Sequence, residues 1–227
     1  MAIYLPLIIG SIFFYALMIF IALKGKKKLG EPYDFLTYFP YELFDDSREP
    51  HFLAARLFEG LAFLLPVAGL GYYLSTVAAD GWGALSFPLG LTLMFFASAL
   101  ALVFVSLVPA KFPKEHTALF FLSTATSLLT LAMVGFYFLN RYLLGEATNN
   151  AATLTVAIIL FVFAAFLLLL LVNPKLAHWA DMEKVAEKDG TVSLKRPRPF
   201  VMACSEWLTS FVYLLGAAVA LIGFLLL

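Results

Sequence analysis

A chain of 227 residues with 63% hydrophobic and only 13% charged side chains, and a mean hydropathy of +0.93, is too apolar for a soluble domain, which carries about a quarter charged residues. Fifteen basic and fifteen acidic residues cancel, so no unbalanced basic surface is left for a nucleic-acid partner. The single cysteine, Cys204, excludes an internal disulfide and any multi-cysteine metal or cluster site, and no HExxH, GxGxxG or P-loop pattern occurs.

Six apolar runs, at 2–23, 52–79, 87–109, 117–140, 152–173 and 200–227, each reach the roughly 20 residues that cross a bilayer as a helix. The expected fold is an all-α integral membrane protein, one membrane domain over 1–227. The first run lacks a basic leader and a small-residue cleavage site, so it reads as a span. Lys24, Lys26, Lys27 and Lys28 follow it directly and place the loop 24–51 in the cytoplasm. With Arg48, Lys111 and Lys114, and Lys175, Lys184, Lys188, Lys195, Arg196 and Arg198 of the loop 174–199, thirteen basic residues fall inside, against Arg141 outside. The spans then form three hairpins that turn in the cytoplasm, with both the N-terminus and the C-terminus outside. Tyr72, Tyr73, Trp82 and Tyr142 mark the outer ends, and Trp179 and Trp207 the inner ends, as an aromatic belt requires. A bacterial-type inner membrane is the expected location.

The loop 24–51 is cut by Pro32, Pro40 and Pro50 and is dense in aromatic side chains from Tyr33 to Phe44. Such side chains need a surface to lie on. Glu42, Asp45 and Asp46 oppose anionic headgroups, which favours a protein partner for Phe39, Pro40, Tyr41 and Glu42 over the lipid bilayer. The spacing of Leu176, Trp179, Met182, Val185 and Ala186 in the loop 174–199 predicts a short amphipathic helix ended by Asp189-Gly190.

Inside the spans, Ala97 and Ala101, Ser123 and Ser127, and Gly216 and Ala220 have the four-residue spacing of close helix packing. Pro66 removes a backbone donor, frees the carbonyl of Ala62 and predicts a kink in the second span. Ionisable groups within a span are expensive and need partners or a purpose. Arg56 and Glu59 share a helix face, and Glu206 is expected at similar depth. The three form a candidate intramembrane polar cluster, either a structural pairing bridged by Arg56 or a proton-active site. His51, His116 and His178 all fall at the inner boundary; they are candidate metal ligands, with Asp181 or Glu115 alongside, and they carry no ligand-spacing motif. Cys204 has no neighbouring base and reads as a packed thiol. No catalytic set and no cofactor are expected.

Residues 1–66 carry a series of landmarks in order: Tyr4-Leu5-Pro6, Pro40-Tyr41-Glu42, Arg56, and Ala62-Phe63-Leu64-Leu65-Pro66. This series resembles the small three-helix membrane subunit of respiratory complex I that is called subunit 3 in mitochondria. Leu43 stands where that family has a cysteine, and Val67 where it has a tryptophan. The resemblance implies a non-catalytic membrane subunit of a complex-I-related oxidoreductase or ion-translocating assembly, with other membrane-protein subunits as partners. Its first loop would lie beside a quinone cavity. Two alternatives stand beside it: a small proton-coupled transporter using Glu59 and Glu206, and a membrane-embedded lipid-modifying enzyme using the three histidines.

Overall fold

The computed structural model describes residues 3–30, 33–44, 51–77, 82–108, 111–146, 149–186 and 191–226, without the side chains of 51, 77 and 82–85. Six helices account for most of it: α1 Tyr4–Lys28, α2 His51–Val77, α3 Trp82–Val105, α4 Pro113–Leu143, α5 Asn150–Leu171 and α6 Val201–Leu226. All six are long and apolar enough to cross a membrane, and each packs on the next in sequence. The chain is a multi-pass membrane protein.

Local chemistry sets the helix ends. Lys26, Lys27 and Lys28 sit in the last turn of α1, against the negative end of its dipole. Gly30 then takes φ +74, which ends the helix at a position where a side chain would be strained. Pro113 opens α4, where a missing N–H costs nothing, and Asn149 caps α5 by accepting from Ala152 N at 3.1 Å. In the same connection, Arg141 in the last turn of α4 pairs at 2.5 Å with Glu146, which lies beyond the helix end.

The last helix is the axis of the bundle. α6 touches α1, α2, α4 and α5, and 61% of its apolar window is buried, against 28% for α1. Gly216 and Gly223 make this possible. A Cβ at Gly216 would meet Leu131 at 2.6 Å, and one at Gly223 would collide with the Phe138 ring, so α4 lies directly against this face. Ser123 and Ser127 are buried in the α4 interface as their spacing predicts. Ala97 is exposed, and Ser98 and Ala99 take the buried face of α3 instead.

Pro66 lies within a helix that runs on past it to Val77. The carbonyl it releases is not left open: Ser11 Oγ on α1 donates to Ala62 O at 2.6 Å. The group that the proline deprives of its partner becomes a link between the first two spans.

The expected amphipathic helix in the fifth loop is not formed. Pro174–His178 is a single 3-10 turn, with Asn173 Oδ1 accepting from Lys175 N at 3.0 Å. The chain then makes a two-stranded antiparallel hairpin, β1 Glu183–Ala186 with β2 Val192–Lys195, in the register Glu183 opposite Lys195. Of the predicted apolar face only Leu176 is buried; Met182 and Ala186 are exposed. Branched Val185, Thr191 and Val192 suit a strand, and a 3.6-residue spacing over so short a stretch did not outweigh them. The expected stop at Asp189-Gly190 lies outside the described residues.

Candidate functional site

At the end of the bundle where α1, α3 and α5 finish and α2, α4 and α6 begin, polar groups turn inward. Glu206 is five residues into α6, about 7.5 Å along its axis. It faces His116, three residues into α4. The two approach at 2.7 Å, His116 Nε2 to Glu206 Oε1, and both side chains are buried. His116 Nδ1 lies 2.6 Å from the carbonyl of Val108, in the turn that connects α3 to α4. A carbonyl oxygen only accepts, so Nδ1 carries a proton. Nε2 and Oε1 at 2.7 Å cannot both present lone pairs, so one further proton lies on that contact, either as imidazolium with carboxylate or as imidazole with carboxylic acid. In both forms the pair is neutral overall, which is what a low-dielectric site tolerates.

The contact is short in distance but off the line of an aligned hydrogen bond. Among the described residues Glu206 Oε2 has no hydrogen-bond partner, and the same is true of Ser127 Oγ further along α4. Buried acceptors are normally satisfied, so the free carboxylate oxygen marks a position where a water or a proton donor fits.

Aromatic rings seal this pair on the loop side. Phe39 and Tyr41 stand edge-on to the His116 ring at 4.9 and 5.5 Å, and Phe39 packs in turn on Phe200 and Trp179. The loop holding them is fixed at several points. Tyr33 Oη donates to Phe39 O at 2.7 Å, Trp207 Nε1 donates to Tyr38 O at 3.1 Å, and Phe200 N donates to Leu36 O at 2.7 Å. Glu42 accepts from Phe39 N at 2.7 Å and from both terminal nitrogens of Arg196 at 2.7 and 2.8 Å, a two-pronged clamp between the first and fifth loops. The Glu42 carboxylate holds the Arg196 guanidinium above its ordinary pKa, while burial raises that of the Tyr33 hydroxyl. Arg196 also lies over the Tyr38, Phe39 and Phe200 rings.

The second intramembrane acid is held differently. Glu59 is buried on α2, eight residues in, and accepts from Ser106 Oγ at 2.8 Å, just past the end of α3. The bridge expected from Arg56 is replaced by these two contacts. Arg56 sits half-buried over the Phe44 ring at 5.5 Å, close enough to Glu59 for an electrostatic attraction, and Glu206 takes His116 as its partner. Phe39, Pro40 and Tyr41, expected to meet a partner protein, are buried against this chain's own α4 and α6, and Glu42 is spent on Arg196. The aromatic loop finds its surface within the molecule. His116 and His178 are not brought together: His116 is buried on Glu206, whereas His178 is exposed beside Asp181 at 3.6 Å; the side chain of His51 lies outside the described residues, and no cluster of metal-binding groups occurs among the described residues.

From the His116–Glu206 pair a series of hydroxyls, buried at Thr124 and Thr130 and half-buried at Tyr137, runs along α4 towards the far side of the bundle. Thr124 Oγ1 meets Thr209 Oγ1 of α6 at 3.2 Å, Thr130 Oγ1 meets Ser98 Oγ of α3 at 2.9 Å, and Tyr137 shares a hydrogen bond with Tyr73 of α2. Counted along α4 at 1.5 Å per residue, these rungs stand about 12, 21 and 31 Å from His116, enough to cross the hydrocarbon. Tyr213 Oη lies beside this line near mid-membrane, 3.3 Å from the carbonyls of both Phe63 and Phe95.

Sequence reading missed His116 as Glu206's partner because it placed the fourth span's start at 117. Pro113 sets the true start four residues earlier and carries the histidine into the helix. The signal was the Pro113-Lys114-Glu115-His116 order, a proline at N1 with an acid in the first turn. No protein-family model, curated protein or solved structure matches this chain.

Proposed function

We propose that this chain is an ion-translocating membrane protein in which the His116–Glu206 pair takes up and releases a proton at one end of the bundle. The observation that carries the reading is the 2.7 Å contact itself: a buried carboxyl set against a buried imidazole, with the second carboxylate oxygen free to receive another group. A charged side chain within a span costs on the order of 3 kcal/mol or more, and a purely structural link between α4 and α6 needs no ionisable group. The hydroxyl rungs supply polar stations across the membrane in steps of about 9 to 12 Å along the α4 axis. Glu59 with Ser106 supplies a second acid near the same end. The basic loops orient this end towards the cytoplasm.

The test is proton flux. The purified chain in liposomes loaded with a pH-sensitive dye dissipates an imposed pH gradient, with potassium and valinomycin clamping the potential. Glu206→Gln keeps the shape and removes the titrating group, and is expected to slow the flux at least tenfold. A wild-type rate equal to that of empty liposomes sinks the reading.

A second reading, membership of a larger complex-I-related assembly, draws on the order of landmarks in residues 1–66. Blue-native electrophoresis of gently extracted membranes tests it. Migration of this chain alone or as a small homo-oligomer removes that support.

A further inference from the structure

Next to the aromatic seal lies a cavity of about 480 Å³, walled by Phe39, Tyr41, Trp179 and Phe200 and bearing Lys111 and Arg196 as its charged residues. Among the described residues no carboxylate lines it. A neighbouring cavity of about 640 Å³ shares Trp179 and Phe200 but mixes Asp181 and Glu183 with Lys175 and Arg198, so it has no single sign. The smaller one does. Arg196 is engaged by Glu42, whereas Lys111 is exposed at the rim, its ammonium 5.5 Å from the Phe112 ring. Phe39, Tyr41 and Phe200 form its buried back wall, and the apolar surface it offers comes from half-buried Trp179 and from exposed Met182, an adaptable side chain. The cavity sits beside the first turns of α4 and α6, at the ends of two membrane-spanning helices, and its volume is that of a small-molecule site.

We propose that this cavity binds an anionic amphiphile, its carboxylate or phosphate head on Lys111 and its apolar body against Trp179 and Met182. The inference is independent of proton movement by His116 and Glu206. Two sources share that chemistry: an anionic phospholipid of the bilayer, and a free fatty acid. Native mass spectrometry of the full chain in a non-ionic detergent separates them, with dodecanoate against dodecanol and phosphatidylglycerol against phosphatidylcholine as probes. The charged member of at least one pair is expected to be retained at least tenfold better than its neutral counterpart, and Lys111→Gln and Trp179→Ala are each expected to cut that retention at least fivefold. Retention confined to dodecanoate assigns a free acid, and retention confined to phosphatidylglycerol assigns a lipid. Equal retention of charged and neutral members in both pairs, or retention unchanged in either variant, overturns the proposal. Lys111 is exposed, so Lys111→Gln leaves the fold's packing alone, whereas Trp179 packs on the Phe39 and Phe200 rings, so the charge variant decides the test should Trp179→Ala loosen the seal.

Discussion

Glu206 and His116 stand 2.7 Å apart in the interior of the bundle, and the second nitrogen of the histidine is fixed by the Val108 carbonyl at 2.6 Å. Three segments distant in sequence are tied at one point: the turn after α3, the first turn of α4 and the second turn of α6. The same point lies under the rings of Phe39 and Tyr41, so the first loop is part of the site's enclosure.

The link between Ser11 and Ala62 exists because of Pro66, and this makes the two residues energetically dependent. Ser11→Ala is expected to destabilise the protein by about 0.6 to 1.7 kcal/mol, the range for hydrogen bonds between membrane helices. Pro66→Ala restores an N–H to the Ala62 carbonyl, so in that background Ser11→Ala is expected to cost close to nothing. A double-mutant cycle on unfolding in detergent measures the coupling. Additive costs contradict the dependence.

Close packing of α6 on α4 leaves no room at Gly223, where a Cβ would run into Phe138. Gly223→Ala is expected to lower stability by about 1 to 3 kcal/mol through overpacking, although alanine is the better helix former. Gly71→Ala on α2, with nothing within 4 Å, is the control and is expected to be neutral or to stabilise slightly. Thermal unfolding of both variants in the same detergent decides it.

Arg196 and Glu42 hold two loops together through a partly shielded, two-pronged contact. Their coupling is expected to be on the order of 1 kcal/mol, above that of an exposed pair. Either Arg196→Gln or Glu42→Gln is expected to speed hydrogen exchange at Tyr38, Phe39 and Phe200 several-fold while leaving α4 and α5 unchanged. Unaltered exchange in both variants contradicts the clamp.

Acid loosens the same loop by a separate route. The Asp34 carboxyl accepts from Leu36 N at 3.0 Å and Thr37 Oγ1 at 2.8 Å and faces Arg198, and these contacts, led by the Leu36 hydrogen bond, lower its pKa below the ordinary value. Because the folded value lies below the unfolded one, its contribution is fully present above about pH 4 and is lost as pH falls through the lowered value. Hydrogen exchange at Leu36 and Thr37 is expected to rise, relative to Asp34→Asn, only below that range. An exchange profile identical in the two proteins contradicts it.

Hydropathy and helix length carried the six spans, since apolar runs of this size have one stable form in lipid. Span ends were harder to place. The apolar count stopped at residue 117 in the fourth span, whereas Pro113 fixed the start of α4, and this shift hid the partner of Glu206. Arg56 was the nearest cation in sequence to Glu59, but a histidine 90 residues from Glu206 is adjacent to it only once α4 lies on α6. The destination of the aromatic loop was equally closed to sequence, because its receiving surface is assembled from α4, α6 and the fifth loop. The hairpin β1–β2 was misread because a few apolar residues in a short segment fit helical and extended spacing alike.

Proton movement at this site requires that His116 and Glu206 hold one exchangeable proton between them. Infrared difference spectroscopy of the full chain, isotopically labelled at glutamate and stepped in pH in light and heavy water, observes it directly. A shared proton gives a carboxyl band that changes with pH, shifts in heavy water, disappears in Glu206→Gln and moves in His116→Gln. A pH-dependent spectrum that is the same in wild type and Glu206→Gln contradicts it.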